Sequence, residues 1–112
     1  MVTGFAALLV VHGLIHLLGF AKGVGLAELP QLRQPISLAF GLLWLLAGLL
    51  FVATAISLVA WPRVWWIVAS CAVLISMVAI TPSWGDAKFG AIVNAIVGVS
   101  ILLEVVHRAR SV

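Results

Sequence analysis

The chain has 112 residues, of which 65% are hydrophobic and only 8% are charged, and its net charge at pH 7 is +3. Ordinary soluble domains carry about 25% charged residues, so this composition excludes a soluble fold with an apolar core and a polar surface. The small net charge, without a run of basic residues, also excludes a typical nucleic-acid-binding surface. We therefore predict an integral membrane protein in contact with the lipid bilayer and with no nucleic-acid partner.

Four apolar segments are long enough to cross the hydrocarbon core of a bilayer, which requires about 20 helical residues. The predicted spans are residues 3–21, 36–60, 64–81 and 84–107. Because short connections join neighbouring helices in opposite directions, we expect an all-α fold, an antiparallel up-down-up-down four-helix transmembrane bundle. The whole chain, 1–112, would form this single domain.

The first span contains two histidines in the stretch HGLIH. His12 and His16 lie one helical turn apart and share a face with Gly19 and Gly23. Ionisable residues are costly at membrane depth, and their presence favours a functional role. Two imidazoles at positions i and i+4 suit a chelated transition metal, so His12 and His16 are the candidate metal ligands.

Three interpretations of the histidine pair stay open. The imidazoles can form packing hydrogen bonds between helices, they can handle protons or a small molecule, or they can bind a haem or a transition metal. A metal needs further ligands, for which depth offers only Cys71, Met77 and Asn94. A haem with two axial ligands would need a second chain, because one helix cannot approach a haem from both faces.

The segment KGVGLAELPQLRQP follows the first span and reads as an interfacial loop. Its Glu28 and Arg33 can pair with Asp86 and Lys88 of the third connection, above the bundle. These four residues are candidates for a site on the loop side. Ser83 and Asp86 also resemble a capping box, which predicts that the fourth span begins near Trp84.

The second and third spans are joined by Trp61-Pro62-Arg63, a connection so short that the two helices must form a tight hairpin. Trp61, Trp65 and Trp66 are expected to form an aromatic belt at the membrane surface. Cys71 follows in an apolar run, which predicts a small buried side chain.

Small and polar residues recur at four-residue spacing on the other spans and predict the faces that meet inside the bundle. On the second span these are Ser37, Gly41, Trp44 and Gly48, and on the fourth they are Gly90, Asn94 and Gly98. Near the end of the fourth span, Glu104 and Arg108 are spaced for an ion pair.

The rise of 1.5 Å per helical residue places each side chain at a depth. His16 falls level with Asn94, Ser76 and Trp44, whereas His12 falls level with Cys71 and Ser70. The two histidines are thus predicted to occupy two different layers. The candidate residues for ligand or proton handling are His12, His16, Asn94, Trp44 and Ser76.

Several strings occur together here: HGLIHLLGFAK, LPQLRQPIS, GLLWLLA and SWGDAKFG. They resemble a family of small four-span bacterial membrane proteins that carry labels such as hypothetical or transporter permease. The resemblance covers nearly the whole chain and implies the four-span fold, but no activity. The architecture alone is similar to that of DoxX-type membrane proteins.

The sequence contains no nucleophile–base pair, phosphate-binding loop or metal-hydrolase motif. We therefore expect a non-enzymatic accessory or assembly module, which acts as a homo-oligomer or with a membrane partner protein. The alternatives are a haem, metal or redox protein using His12 and His16, and a minimal oligomeric transporter or channel. Arg108 and Arg110 favour cytoplasmic termini in a bacterial inner membrane.

Overall fold

The structure is a computed structural model that describes residues 2–25 and 36–111, apart from the side chain of Asp86. The described residues form an all-α fold of four helices. These are α1 (Val2–Gly23), α2 (Leu38–Ala60), α3 (Trp65–Ile80) and α4 (Trp84–Ser111), with a 3-10 turn at Thr81–Ser83. Each helix is long and apolar enough to cross a membrane, the third together with the 3-10 turn. The predicted helix number, order and approximate bounds are confirmed, and α4 continues past the predicted end at residue 107.

The ends of α2 follow from local hydrogen bonds. At its start, the Ser37 hydroxyl accepts a hydrogen bond from the Phe40 backbone N–H at 3.3 Å, as expected of a serine N-cap. At its end, the Trp61 N–H still donates to the Ser57 carbonyl at 2.8 Å, and Pro62 follows directly. Proline has no N–H and restricts the preceding residue, so the chain turns there into α3.

Glycines allow α1 and α2 to pack closely. A Cβ atom at Gly13 would lie 2.8 Å from the Gly48 carbonyl oxygen, and one at Gly23 would lie 2.7 Å from the Cα atom of Gly41. Since Gly13 faces Gly48 and Gly23 faces Gly41, the two helices run in opposite directions. We call the end of the bundle near Gly23 and Trp84 the loop end, and the end near Val2 and Ser111 the terminal end.

The buried apolar side chains form two clusters. The cluster toward the terminal end consists of Leu9, Phe51, Ala55, Trp65, Ala69, Ala72 and Val97. The cluster toward the loop end consists of Trp44, Ala79, Ile80 and Ala87. The polar residues described below lie between them.

Two predictions about α3 are wrong. Trp65 does not join an aromatic belt at the membrane surface, because it is 7% exposed and packs edge-to-face against Phe5 with ring centroids 5.8 Å apart. Cys71 is exposed instead of buried. Both errors have one cause, because a hydropathy pattern does not give the direction in which a side chain of a uniformly apolar helix points.

The C-terminal part of α4 is tied to the hairpin between α2 and α3. The Arg108 Nε atom donates to a Glu104 carboxylate oxygen at 2.7 Å, which confirms the predicted ion pair. Its Nη2 atom also donates to the Pro62 carbonyl at 3.2 Å, and the guanidinium lies 5.8 Å from the centre of the Trp66 ring. Arg108 therefore fixes the end of α4 against α3, whereas α4 and α1 make at most sparse close backbone contacts among the described residues.

Candidate functional site

Four polar side chains meet in the interior, between the two apolar clusters. His12 and His16 come from α1, Ser76 from α3 and Asn94 from α4, and each is at most 3% exposed. Burying such groups in an apolar environment costs free energy unless they are hydrogen-bonded, so the partners of each polar atom decide what the site can do.

The four side chains form one connected network of hydrogen bonds. The Nε2 atom of His12 lies 3.0 Å from Asn94 Oδ1, and Asn94 Nδ2 donates to Ser76 Oγ at 2.9 Å. The Nε2 atom of His16 lies 2.7 Å from Ser76 Oγ, and its Nδ1 atom lies 2.9 Å from the carbonyl oxygen of His12. The network thus starts and ends at His12 and links α1, α3 and α4.

The acceptors in this network determine where the protons lie. Because a carbonyl oxygen can only accept, the Nδ1 atom of His16 carries a proton and its Nε2 atom accepts from the Ser76 hydroxyl. The Asn94 amide oxygen likewise requires a proton on the Nε2 atom of His12. All four hydrogen bonds are therefore made with both imidazoles neutral.

Aromatic rings from α2 enclose the histidine pair. The Phe51 ring lies 4.6 Å from the ring of His12 and 5.4 Å from that of His16, measured between centroids. The Trp44 ring lies 5.3 Å from the His16 ring on the side of the loop end. Helix α2 thus contributes apolar walls to the site, but no hydrogen bond to the network.

Trp44 lies beside the network without joining it. Its side chain is 3% exposed, and its Nε1–H has no hydrogen-bond partner within the part of the chain that the structure describes. A Cβ atom at Gly19 would overlap the indole ring. The predicted proximity of Trp44 and His16 is therefore correct, and the reason for a glycine at position 19 is the space that the indole occupies.

The prediction that the histidines occupy two layers is wrong for His12. The predicted depth placed His12 level with Cys71 and Ser70, but His12 bonds to Asn94 instead. The Ser70 hydroxyl donates to the Trp66 carbonyl of its own helix at 2.7 Å. The two rings of the pair are 4.6 Å apart and share one network. Depth along a helix gives a height only, and the direction around the helix axis decides which neighbour a side chain meets.

The geometry does not fit a metal or haem held by His12 and His16. The Nε2 atom of His12 and both ring nitrogens of His16 already form hydrogen bonds, and a bound metal would have to break them. Met77 Sδ, a predicted neighbour, accepts from Asn94 Nδ2 at 3.3 Å. Across residues 2–25 and 36–111, no group of three or more His, Cys, Asp or Glu side chains is arranged to hold a metal ion.

Comparison with protein-family models, curated proteins and solved structures found no match. The site must therefore be interpreted from its own chemistry.

Of the four loop-side candidates, only the side chain of Lys88 is among those that the structure describes. Lys88 is exposed, and its ammonium lies 5.6 Å from the centre of the Phe89 ring. Glu28 and Arg33 lie outside the described residues, as does the Asp86 side chain, so the predicted pairing and capping box fall there too. The predicted start of α4 at Trp84 is confirmed.

Two residues of the site were not predicted from the sequence. Phe51 packs against both histidines, and Gly13 lets the α1 backbone approach α2. Phe51 follows Gly48 by three residues and Trp44 by seven, so the stripe predicted on the second span would have included it if continued for one more turn. Gly13 carried no such signal, because it lies beside the histidine stripe.

Proposed function

We propose that this protein is a non-enzymatic accessory or assembly module of a bacterial inner membrane. Its four helices would form an antiparallel up-down-up-down transmembrane bundle with the termini in the cytoplasm. The bundle would act by packing against further copies of itself or against a membrane partner protein.

The observation that carries this proposal is the closure of the hydrogen-bond network. His12 Nε2, both ring nitrogens of His16, Ser76 Oγ and both polar atoms of the Asn94 amide bond within the bundle, which leaves His12 Nδ1, in a side chain that is 3% exposed, as the one ring nitrogen of the pair outside the network. A catalytic base or a ligand site needs a lone pair or a proton directed toward the substrate. Polar side chains that bond to one another across helices hold those helices together in lipid, and this is the role that we assign to the network.

The outer surface of α4 supports an assembly role. Only 11% of its membrane-crossing window is buried within the chain, the smallest share among the four helices. Gly98 lies on this helix with open space around it, because an added Cβ atom would meet nothing within 4 Å. Small residues let helix backbones approach closely in membranes, so this part of α4 is suited to contact another transmembrane helix.

The proposal can be tested by measuring the mass and the cofactor content of the purified protein. The tagged chain is extracted in mild detergent, and its molar mass is measured by size-exclusion chromatography with light scattering. We expect a complex of more than one chain that is colourless and does not take up added haem, copper or zinc. The double variant His12→Leu, His16→Leu should weaken the complex, because the network positions α4. His107→Leu, at an exposed position near the terminal end, is the matched control.

Two results would overturn the proposal. The first is stoichiometric binding of haem or metal that the double variant loses and His107→Leu keeps, which would establish a cofactor protein. The second is proton-dependent or ligand-dependent flux in liposomes that His16→Ala abolishes, which would establish a transporter or channel.

A further inference from the structure

A groove opens between α1 and α4 in the terminal half of the bundle. Its volume is about 720 Å³, and its lining includes Gly4, Phe5, Leu58, Trp65, Ile96 and Ser100. The groove exists because α1 packs on α2 and α4 packs on α3, while α1 and α4 are bridged at mid-depth by the bond between His12 and Asn94. Toward the terminal end from that bond, the two helices leave an open seam.

The wall of the groove is suited to a hydrocarbon chain. Among the residues named above, Ser100 carries the one hydroxyl, and this group donates to the Ile96 carbonyl of its own helix at 3.0 Å. Gly4 contributes space, because an added Cβ atom there would meet nothing within 4 Å. The volume falls in the range of about 300–1,000 Å³ that is usual for small-ligand sites. An aliphatic chain can fill such a groove without breaking the hydrogen bond that Ser100 makes within α4.

Beyond the groove, toward the terminal end, α4 carries the cationic side chain of Arg110. Ser100 and Ile96 line the groove together with residues of the first turns of α1, so α4 extends beyond α1 toward the terminal end. At 100° per residue, His107 and Arg110 lie on the same face of α4 as Ile96 and Ser100. Glu104 also lies toward this face, but its carboxylate is paired with Arg108 at 2.7 Å. The side chains of His107 and Arg110 are exposed, and Arg110 follows Ser100 by about 15 Å along the helix axis.

We propose that this groove binds one anionic phospholipid. An acyl chain lies along Phe5, Leu58 and Ile96, and the phosphate interacts with His107 and Arg110. The apolar groove continues into a cationic surface in the order in which a phospholipid presents its tail and headgroup. With the termini in the cytoplasm, this end of the bundle also faces the leaflet that carries most anionic lipid. The inference depends on the membrane placement proposed above, but not on the accessory role.

Native mass spectrometry tests the site with defined lipids. The detergent-purified protein is mixed with phosphatidylglycerol or with phosphatidylcholine of the same acyl chains, and bound lipids are counted. We expect one retained phosphatidylglycerol per chain and weaker retention of phosphatidylcholine. Gly4→Leu should abolish retention by filling the groove, whereas Ala7→Leu should not, since Ala7 is exposed on the same helix but outside the groove lining. Arg110→Gln should weaken binding about fivefold, as expected for one cation at an anionic lipid surface.

Lys88→Gln removes the same charge at the loop end and should leave binding unchanged. Circular dichroism of each variant establishes that it is folded before its lipid content is compared. Wild-type retention in Gly4→Leu, or equal retention of the two lipids, would overturn the inference. So would a chain dimer that excludes lipid and dissociates in Gly4→Leu, because the occupant would then be a second copy. A monomer that retains one phosphatidylglycerol would refute self-assembly and leave this inference standing.

Discussion

Asn94 is the residue at which the polar network holds α4 to both α1 and α3. Its amide oxygen accepts from His12 at 3.0 Å, and its amide nitrogen donates to Ser76 at 2.9 Å. Close backbone contacts between α1 and α4 are sparse, so they do not compensate if the hydrogen bond between His12 and Asn94 is lost. The substitution Asn94→Leu keeps a side chain of similar size and removes both bonds, together with the 3.3 Å hydrogen bond to Met77 Sδ.

The expected loss of stability follows from the two bonds and from what they leave behind. Interhelical hydrogen bonds in membrane proteins contribute about 0.6 kcal/mol on average and up to about 1.7 kcal/mol each. The unpaired N–H of His12 adds a penalty of about 1–3 kcal/mol, because it stays buried without an acceptor. We therefore expect Asn94→Leu to lower the free energy of unfolding by about 2–4 kcal/mol.

The assay is unfolding in mild detergent by added dodecyl sulfate, followed by far-ultraviolet circular dichroism. Ser100→Ala is the matched control, since that hydroxyl bonds only within α4, and it should stay within about 0.5 kcal/mol of the wild type. Adding His12→Leu to Asn94→Leu should recover part of the loss, because the unpaired N–H is then removed as well. If Asn94→Leu were as stable as Ser100→Ala, the network would not be what holds α4 in place.

Two further predictions test the packing and the membrane placement. Gly19→Ala should destabilise the bundle by about 1–3 kcal/mol, because the new methyl group overlaps a buried indole ring. Gly98→Ala places its methyl group in open space and should stay within about 1 kcal/mol of the wild type. Equal melting temperatures of the two variants would contradict the packing of Gly19 against Trp44. Cys71 is exposed on α3 and lies about 9 Å along the helix axis from Trp65, the first residue of α3. In liposomes, a membrane-impermeant maleimide should therefore label the Ser111→Cys variant at position 111 but should not label Cys71. Rapid labelling of Cys71 in intact liposomes would show that this face of α3 contacts water.

The sequence was sufficient to predict the helices, because lipid imposes a length and a composition on each span. It also predicted that Gly41, Trp44 and Gly48 of the second span face inward, and all three are buried. The same prediction was wrong for Ser37, which is exposed, and for Gly98, which has open space around it. Small residues at regular spacing carry this information even where hydrophobicity does not vary around the helix.

The partners within the site were only partly predictable. Depth correctly paired His16 with Ser76, but it placed His12 beside Cys71, whose side chain points outward. Trp65 was misplaced for the same reason, since an apolar residue near a helix end can face lipid or the core equally well. Resolving these positions requires the rotation of each helix about its axis, which depends on the packing of all four helices at once.

The hydrogen-bond network also has a fixed direction. If the Asn94 amide were turned over, His12 would have to accept at Nε2, Ser76 would have to donate to the amide oxygen, and His16 would donate from Nε2. The Nδ1 atom of His16 would then present a lone pair to the His12 carbonyl oxygen, 2.9 Å away, where two acceptors repel each other. A peptide carbonyl oxygen can only accept a hydrogen bond, so it fixes which atom donates and which accepts in every other bond of the network. While both imidazoles are neutral, the network therefore keeps this one direction as long as His16 stays bonded to its own helix backbone.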